Sequence, residues 1–140
     1  MVMFNWFARL QPQQWAILSA VAGFIFYGLW AYWVNRDHGL LLAVKAACTQ
    51  GTYSFILTFV MTVLIEAIYR HFLKLFDNYL LIIWLTIVLT CALIFSASWL
   101  VHFLAGTPEI FKTVALGYFF GGLYSIIYVY SLAKVSMRDA

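Results

Sequence analysis

Three ionisable residues interrupt long apolar stretches of the sequence: Lys45, Glu66 and His102. If these stretches cross a membrane, a charge at a helix centre costs about 2.5–3.5 kcal/mol, so each residue is a candidate for phosphate binding, proton transfer or metal ligation. Glu66 precedes Arg70 by four residues, and an i,i+4 ion pair would explain it structurally. Lys45 could place its ammonium group outside the apolar layer by extending its methylene stem.

Further charges fall in the first and third segments that separate the apolar stretches. We predict that a lipid phosphate headgroup binds a cluster formed by Arg36, Lys45, His102, Glu109 and Lys112. Its cations would contact phosphate oxygens, and the helix start after Thr107 would offer free N–H groups. Asp37 and His38 lie nearby, but no HxxxH or HExxH spacing occurs and three cations share the site, so we expect no metal. The alternative is a set of solvated loop charges that stabilise helix ends.

The second apolar stretch carries a polar stripe. Its members follow steps of three and four residues: Lys45, Cys48, Thr49, Thr52, Phe55, Phe59, Thr62 and Glu66. On a helix such residues share one face, and Lys45 to Glu66 spans about 31 Å, roughly the hydrocarbon thickness of a bilayer. We therefore predict one unbroken helix, with a polar seam of Thr49, Thr52, Thr62 and Glu66 that faces the inside of a bundle or of an oligomer.

Small residues indicate close helix packing. Gly51 lies in the middle of the stripe, and Gly117 and Gly121 form a GxxxG step in the fourth apolar stretch. In lipid, helices gain no hydrophobic free energy by pairing, so small residues that permit close contact favour association. We predict that these glycines pack helices together.

The composition requires these elements to lie in lipid. Hydrophobic residues make up 66% of the 140 residues and charged residues only 9%, whereas soluble domains carry about 25% charged residues. Four stretches are long enough to cross a bilayer: residues 15–34, 40–72, 79–104 and 108–137. We predict an all-α integral membrane protein, a single domain of residues 1–140. It should form an antiparallel bundle of four transmembrane helices, with a short interfacial helix at residues 2–10.

Helix-capping residues support these boundaries. Asp77 or Asn78 can accept hydrogen bonds from the first turn of the third helix. Gly106 can adopt the positive φ that ends a helix, and Thr107 can cap the next one. Short connections between the helices then force antiparallel neighbours.

The distribution of basic residues predicts the orientation. The two chain ends and the second loop hold Arg9, Arg70, Lys74, Lys134 and Arg138, and the opposite side holds Arg36, Lys45 and Lys112. Because Lys and Arg accumulate on the cytoplasmic side, both termini are predicted to be cytoplasmic. In a bacterial host the location would be the inner membrane.

Several activities are disfavoured. Cys48 and Cys91 lie in apolar stretches without a CxxC pair, so we expect neither a disulfide nor a zinc site. No nucleophile elbow, P-loop or dinucleotide fingerprint occurs, which disfavours catalysis and a cofactor. The net charge of +3 is small and dispersed, so we expect no nucleic-acid partner.

These observations leave three functional hypotheses. The first is a non-enzymatic inner-membrane protein that binds or helps translocate an amphipathic or lipid-linked substrate, acting as an oligomer, with the polar seam lining the path. The second is a structural or assembly subunit of a larger membrane complex. The third is an ion or proton pathway that uses Glu66.

Overall fold

The computed structural model describes residues 12–138 and contains four long α-helices. They are α1 (Pro12–Asn35), α2 (Leu40–Leu73), α3 (Tyr79–Ala105) and α4 (Ile110–Arg138), with a 3₁₀ turn at Arg36–His38. Their ends lie within three residues of the predicted stretches, and no strand occurs between residues 12 and 138. Each helix is long and apolar enough to cross a membrane. The chain is therefore an all-α integral membrane protein with a four-helix bundle, as predicted. The predicted interfacial helix at residues 2–10 lies outside the described residues.

Two ends of the bundle can be distinguished by their loops. The upper end holds the first and third loops, residues 36–39 and 106–109, and the lower end holds the second loop, residues 74–78. The predicted caps of α3 are confirmed, but the Thr107 hydroxyl, predicted to cap α4, lies 2.8 Å from Nδ1 of His102, and α4 begins only at Ile110. The Asn78 side chain accepts hydrogen bonds from the N–H groups of Leu80 and Leu81 at 3.0 and 3.2 Å. Gly106 adopts a φ of 68° and ends α3.

The first two helices approach each other most closely at two glycines. A Cβ atom at Gly51 would lie 2.9 Å from the carbonyl oxygen of Phe24, and one at Gly28 would lie 3.2 Å from that of Ala47. Gly51 therefore admits a neighbouring backbone, as expected of a small residue in a membrane helix. The neighbour is α1, however, and not the GxxxG surface of α4.

The GxxxG step itself makes no close backbone contact. A Cβ atom at Gly117 would meet the side-chain nitrogen of Gln50 at 3.2 Å, and one at Gly121 would meet nothing within 4 Å. No neighbouring helix of the described bundle packs against Gly121, so its packing role stays a prediction. The reason is a cavity that separates this part of α4 from its neighbours and that both glycines line.

The apolar core fills the lower half of the bundle. It consists of buried side chains from α2, α3 and α4: Met61, Ile65, Tyr69, Ile82, Ile83, Ile87, Ile94, Val129 and Ala133. Lipid tails are as apolar as these side chains, so their burial gains no hydrophobic free energy. Dispersion from close packing stabilises the lower half instead. The buried polar residues Gln50, Ser98 and His102 lie above this core.

α2 is one unbroken helix, as predicted, but its buried face is not the predicted one. The buried residues are Ala43, Ala46, Gln50, Gly51, Ser54, Met61, Ile65 and Tyr69. Lys45, Cys48, Thr52 and Phe59 of the predicted stripe are exposed. At about 100° per residue, the stripe lies roughly a third of a turn away from the buried face. The upper part of the stripe is therefore not the inward face of this bundle, and its role in an oligomer stays a prediction.

Two physical effects explain this difference. Alanine, glycine and serine let helices approach closely, so they form the contact face in place of the larger polar residues. Threonine can also satisfy its hydroxyl group within its own helix. The Thr49 hydroxyl donates to the carbonyl of Lys45 at 2.8 Å, and the Thr58 hydroxyl donates to that of Ser54 at 2.9 Å. A threonine bonded in this way needs no partner from another helix.

Candidate functional site

A buried polar network joins α2 to α3 and to the third loop. Nε2 of His102 lies 2.5 Å from Oε1 of Gln50, and Nδ1 of His102 lies 2.8 Å from Oγ1 of Thr107. The Gln50 side chain donates in turn to the Ser54 hydroxyl at 3.4 Å. All four side chains are buried. We call these four residues the His102 network.

A second buried network joins α1 to α4 at the upper end. The Asn35 amide nitrogen donates to the Thr113 hydroxyl at 2.8 Å, and its amide oxygen accepts from the backbone N–H of Glu109 at 3.0 Å. Trp30 adds a hydrogen bond from its indole nitrogen to the carbonyl of Lys112 at 3.0 Å. Since Glu109 directly precedes α4, the Asn35 amide satisfies one of the otherwise unpaired N–H groups near this helix start. These bonds hold the upper ends of α1 and α4 together.

A set of ion pairs lies on the surface of the upper end. Glu109 lies 3.1 Å from the Lys112 ammonium group and 3.4 Å from Nε2 of His38. Arg36 pairs with Asp37 at 3.7 Å. Hydrogen bonds from Lys112 and His38, together with the positive charge of Lys112, lower the pKa of Glu109 below its ordinary value of 4.5.

The structure divides the predicted headgroup site into three parts. It brings Glu109 and Lys112 together as an ion pair, with Arg36 on the same loop end. His102 is fully buried and points to Gln50, so it does not join the surface charges. Lys45 is exposed on α2 and forms no ion pair with any described residue. The five residues therefore do not form one cluster.

A cavity with a volume of about 450 Å³ lies directly below the His102 network. Gln50, Ser54 and Ser98 contribute polar groups to it, and Tyr53 also lines it. The remaining lining is mainly apolar and aromatic: Tyr27, Leu57, Met61, Ile94, Phe95, Val114, Gly117, Tyr118, Phe120, Gly121 and Tyr124, with Ser19 and Thr58. None of these lining residues carries a charge.

The cavity reaches the surface of the bundle, since some of its lining residues on α1 and α4 are exposed. The hydrogen bonds of Asn35 and Trp30 join these helices near the upper end, and the rings of Phe26 and Phe120 meet edge-on at 6.5 Å below them. Ser19 and Tyr124, further toward the lower end, both line the cavity and are exposed. The opening therefore faces the side of the bundle, where lipid would lie.

The lower part of the predicted seam lies at the contact between α2 and α4. The Thr62 and Tyr124 hydroxyl groups lie 3.0 Å apart, and the Tyr128 hydroxyl donates to Glu66 at 2.7 Å. Glu66 also pairs with Arg70 at 3.5 Å, so the ion pair indicated by their spacing is present. The upper part of the predicted seam does not lie at a contact with α4. Its residues Thr49 and Thr52 line a groove between α2 and α3.

Sequence reasoning singled out His102 and Thr107 but missed Gln50, Asn35 and Thr113, with which the buried networks are formed. Gln50 stands between two predicted site residues, and Asn35 directly precedes the first loop. A signal for Gln50 was present, because it lies at helical spacing from Ala43, Ala46 and Ser54, a small-residue face that permits close packing. No pattern in the sequence pairs Asn35 with Thr113, which is 78 residues away.

Within residues 12–138, no group of three His, Cys, Asp or Glu side chains is arranged to hold a metal ion. Cys48 is exposed and Cys91 half-buried, and both are free thiols. Comparison of the chain with known protein families, with curated proteins and with solved structures finds no match.

Proposed function

We propose that this integral membrane protein is non-enzymatic and binds an amphipathic molecule in the cavity below the His102 network, helping that molecule to move within or across the membrane. The observation that carries the proposal is the cavity itself, which has a volume of about 450 Å³ and is lined by residues of all four helices, among them the exposed Ser19 of α1 and Tyr124 of α4. Small-molecule sites typically enclose about 300–1,000 Å³ and combine an apolar lining with a few polar groups. The cavity has both properties.

The distribution of polar groups supports an amphipathic ligand. Gln50, Ser54 and Ser98 lie in the part of the cavity nearer the upper end, and the rest of the lining is mainly apolar and aromatic, with the hydroxyl groups of Ser19, Thr58 and Tyr124 toward the lower end. The polar part of a ligand would bind the amide and hydroxyl groups, while its apolar part would extend through the opening toward lipid. Because no lining residue is charged, a charged ligand group would be buried without a partner at a large cost. An uncharged polar group, such as a hydroxyl or a carbonyl, fits this lining.

The proposal places the ligand on a different face of α2 from the one that the sequence predicted. Thr49 and Thr52 lie outside the cavity. Gly117 and Gly121, which the sequence predicted as packing residues, line it. The absence of a side chain at Gly121 keeps that part of the cavity open.

Filling the cavity tests this function. A leucine at Gly121 would project into open space, since a Cβ atom there meets nothing within 4 Å. The matched control is Ser131→Leu, which adds similar bulk at an exposed position of the same helix. Native mass spectrometry of the protein released from nanodiscs would report co-purified ligands and the copy number. We expect wild type and Ser131→Leu to retain a bound lipid-like molecule that Gly121→Leu lacks. Equal ligand retention by Gly121→Leu, with an unchanged unfolding temperature, would contradict the proposal.

A second candidate function is a subunit of a larger membrane complex. It is favoured by Lys45, Cys48 and Thr52, polar residues that α2 exposes on its outer face. A partner helix could cover them. Purification in a gentle detergent distinguishes the two functions, because a stoichiometric protein partner supports the subunit and a bound small molecule supports the binding protein.

A further inference from the structure

A second concave site lies on the outer face of the bundle, between α2 and α3. This groove has a volume of about 410 Å³ and is lined by Cys48, Thr49, Thr52, Tyr53, Ile56 and Val101. Tyr53 also lines the cavity on its other side. Its hydroxyl donates to the carbonyl of Ile94 in α3 at 3.0 Å, so this side chain forms the wall between the two sites. The groove is therefore separate from the cavity of the proposed function.

Lys45 stands one helical turn above the groove. The Thr49 hydroxyl donates to the Lys45 carbonyl, which places the two residues on one side of α2. The other cations of the upper end have acidic partners, since Arg36 pairs with Asp37 and Lys112 with Glu109. Among residues 12–138 no carboxylate pairs with Lys45. Its positive charge is therefore available to a ligand outside the chain.

The depth of each group matches the layers of a phospholipid. α2 has 34 residues, or about 51 Å, against a hydrocarbon thickness of about 30 Å, so about 10 Å extends past each boundary if the helix is centred. Lys45 lies about 8 Å below the start of α2, at the level of phosphate groups. Thr52 lies about 10 Å deeper, about 8 Å inside the hydrocarbon layer, and Ile56 lies deeper still, so both lie beside acyl chains. A cation at phosphate depth and a groove at acyl-chain depth thus follow one another in the order that a phospholipid presents their partners.

We propose that this groove binds an anionic phospholipid, with its phosphate on the Lys45 ammonium group and one acyl chain along Ile56 and Val101. A phospholipid fits better than a second copy of the chain. A two-fold contact would place the same surface on both sides, and this surface offers a cation without a carboxylate to meet it.

The test is native mass spectrometry of the full chain from nanodiscs that contain phosphatidylglycerol and phosphatidylcholine. We expect phosphatidylglycerol to remain bound to the wild type and to Lys45→Arg. Lys45→Gln should reduce its occupancy about fivefold, the usual contribution of one lysine at an anionic lipid surface. Lys134→Gln is the matched control, because it removes an exposed cation from the lower part of α4, and it should leave occupancy unchanged.

The outcomes that would overturn the proposal are distinct. Equal phosphatidylglycerol occupancy in wild type and Lys45→Gln would exclude the site, and equal losses in Lys45→Gln and Lys134→Gln would show only a general charge effect. A dimer that persists without lipid and dissociates in Lys45→Gln would assign this face to a second copy. Gly121→Leu should retain phosphatidylglycerol while losing the ligand of the cavity. The proposals for the groove and for the cavity can therefore be confirmed or refuted independently.

Discussion

Nε2 of His102 in α3 lies 2.5 Å from Oε1 of Gln50 in α2, and these side chains are 0% and 1% exposed. An amide oxygen only accepts, so Nε2 must carry the hydrogen that it donates. Nδ1 is then the acceptor of the hydrogen bond from the Thr107 hydroxyl at 2.8 Å. Neutral His102 therefore satisfies both of its partners at once. The bond fixes the Gln50 amide at the upper boundary of the cavity.

Removing the imidazole should destabilise the bundle. His102→Leu would leave the Gln50 amide oxygen and the Thr107 hydroxyl buried without their partner, at about 1–3 kcal/mol for each unsatisfied group. Thermal unfolding in detergent should therefore show a lower midpoint. Phe103→Leu, at a neighbouring position that is 66% exposed, is the control and should change the midpoint little.

In the double variant Gln50→Leu/His102→Leu the loss of stability should be smaller than the sum of the two single losses, because both partners are removed. A fully additive result would show that the bond does not couple the two helices.

Adding one methyl group at Gly51 should separate α1 from α2. Its Cβ atom would lie 2.9 Å from the Phe24 carbonyl oxygen, which belongs to a helix backbone and can move only with that helix. We expect Gly51→Ala to lower the free energy of unfolding by about 1–3 kcal/mol, the usual cost of overpacking. Gly121→Ala is the control, since its Cβ atom meets no atom. Because alanine favours a helix over glycine, it should raise stability by up to about 1 kcal/mol. Equal effects of the two substitutions would contradict the close contact.

The ion pairs of Glu109 predict a loss of stability in acid. Hydrogen bonds from Lys112 and His38 lower the folded-state pKa of Glu109 below 4.5. A carboxyl group of this kind contributes stability above its unfolded-state pKa, and the contribution disappears as the pH falls through the folded-state pKa. Glu109→Gln should therefore unfold at a lower temperature than the wild type at neutral pH, and at the same temperature in strong acid.

The control for this pH series is Asp77→Asn, which removes an exposed carboxylate in the second loop. This substitution should leave the difference between neutral and acidic unfolding temperatures unchanged. Unfolding followed by circular dichroism in detergent, from neutral pH to well below 4.5, would give both comparisons. A Glu109→Gln variant that loses as much stability in acid as the wild type would assign the acid sensitivity to other groups.

The sequence was sufficient to predict the fold because lipid imposes strong constraints. Long apolar stretches must form helices that satisfy their own backbone hydrogen bonds, and capping residues such as Asn78 and Gly106 mark where the helices end. Both residues cap α3 in the structure. The number, the type and the approximate bounds of the helices therefore follow from local sequence.

The site was harder to predict, because helix rotation depends on partners distant in sequence. The prediction assumed that the face of α2 with the most polar residues lies inward. Thr49 instead satisfies its hydroxyl within its own helix, and Thr52 is exposed to the outside. The small residues around Gly51 determine which face contacts α1. Contacts such as that of Gln50 with His102, 52 positions apart, leave no periodic signal in a single sequence.

Glu66 provides the last prediction, which separates a structural role from an ion or proton pathway. Its two carboxylate oxygens are both occupied, one by the Tyr128 hydroxyl at 2.7 Å and the other by Arg70 at 3.5 Å. These two contacts stabilise the charged carboxylate within the fold. We therefore expect Glu66→Gln to keep the hydrogen bond to Tyr128 and to lose only the ion pair with Arg70. A partly exposed pair of this kind contributes about 0.3–0.5 kcal/mol.

Proteoliposomes loaded with a pH-sensitive dye should show the same proton flux for wild type and Glu66→Gln. Arg70→Gln is the control, because it breaks the same ion pair and keeps the carboxylate. A flux in the wild type that disappears in Glu66→Gln but persists in Arg70→Gln would assign a proton pathway to this carboxylate.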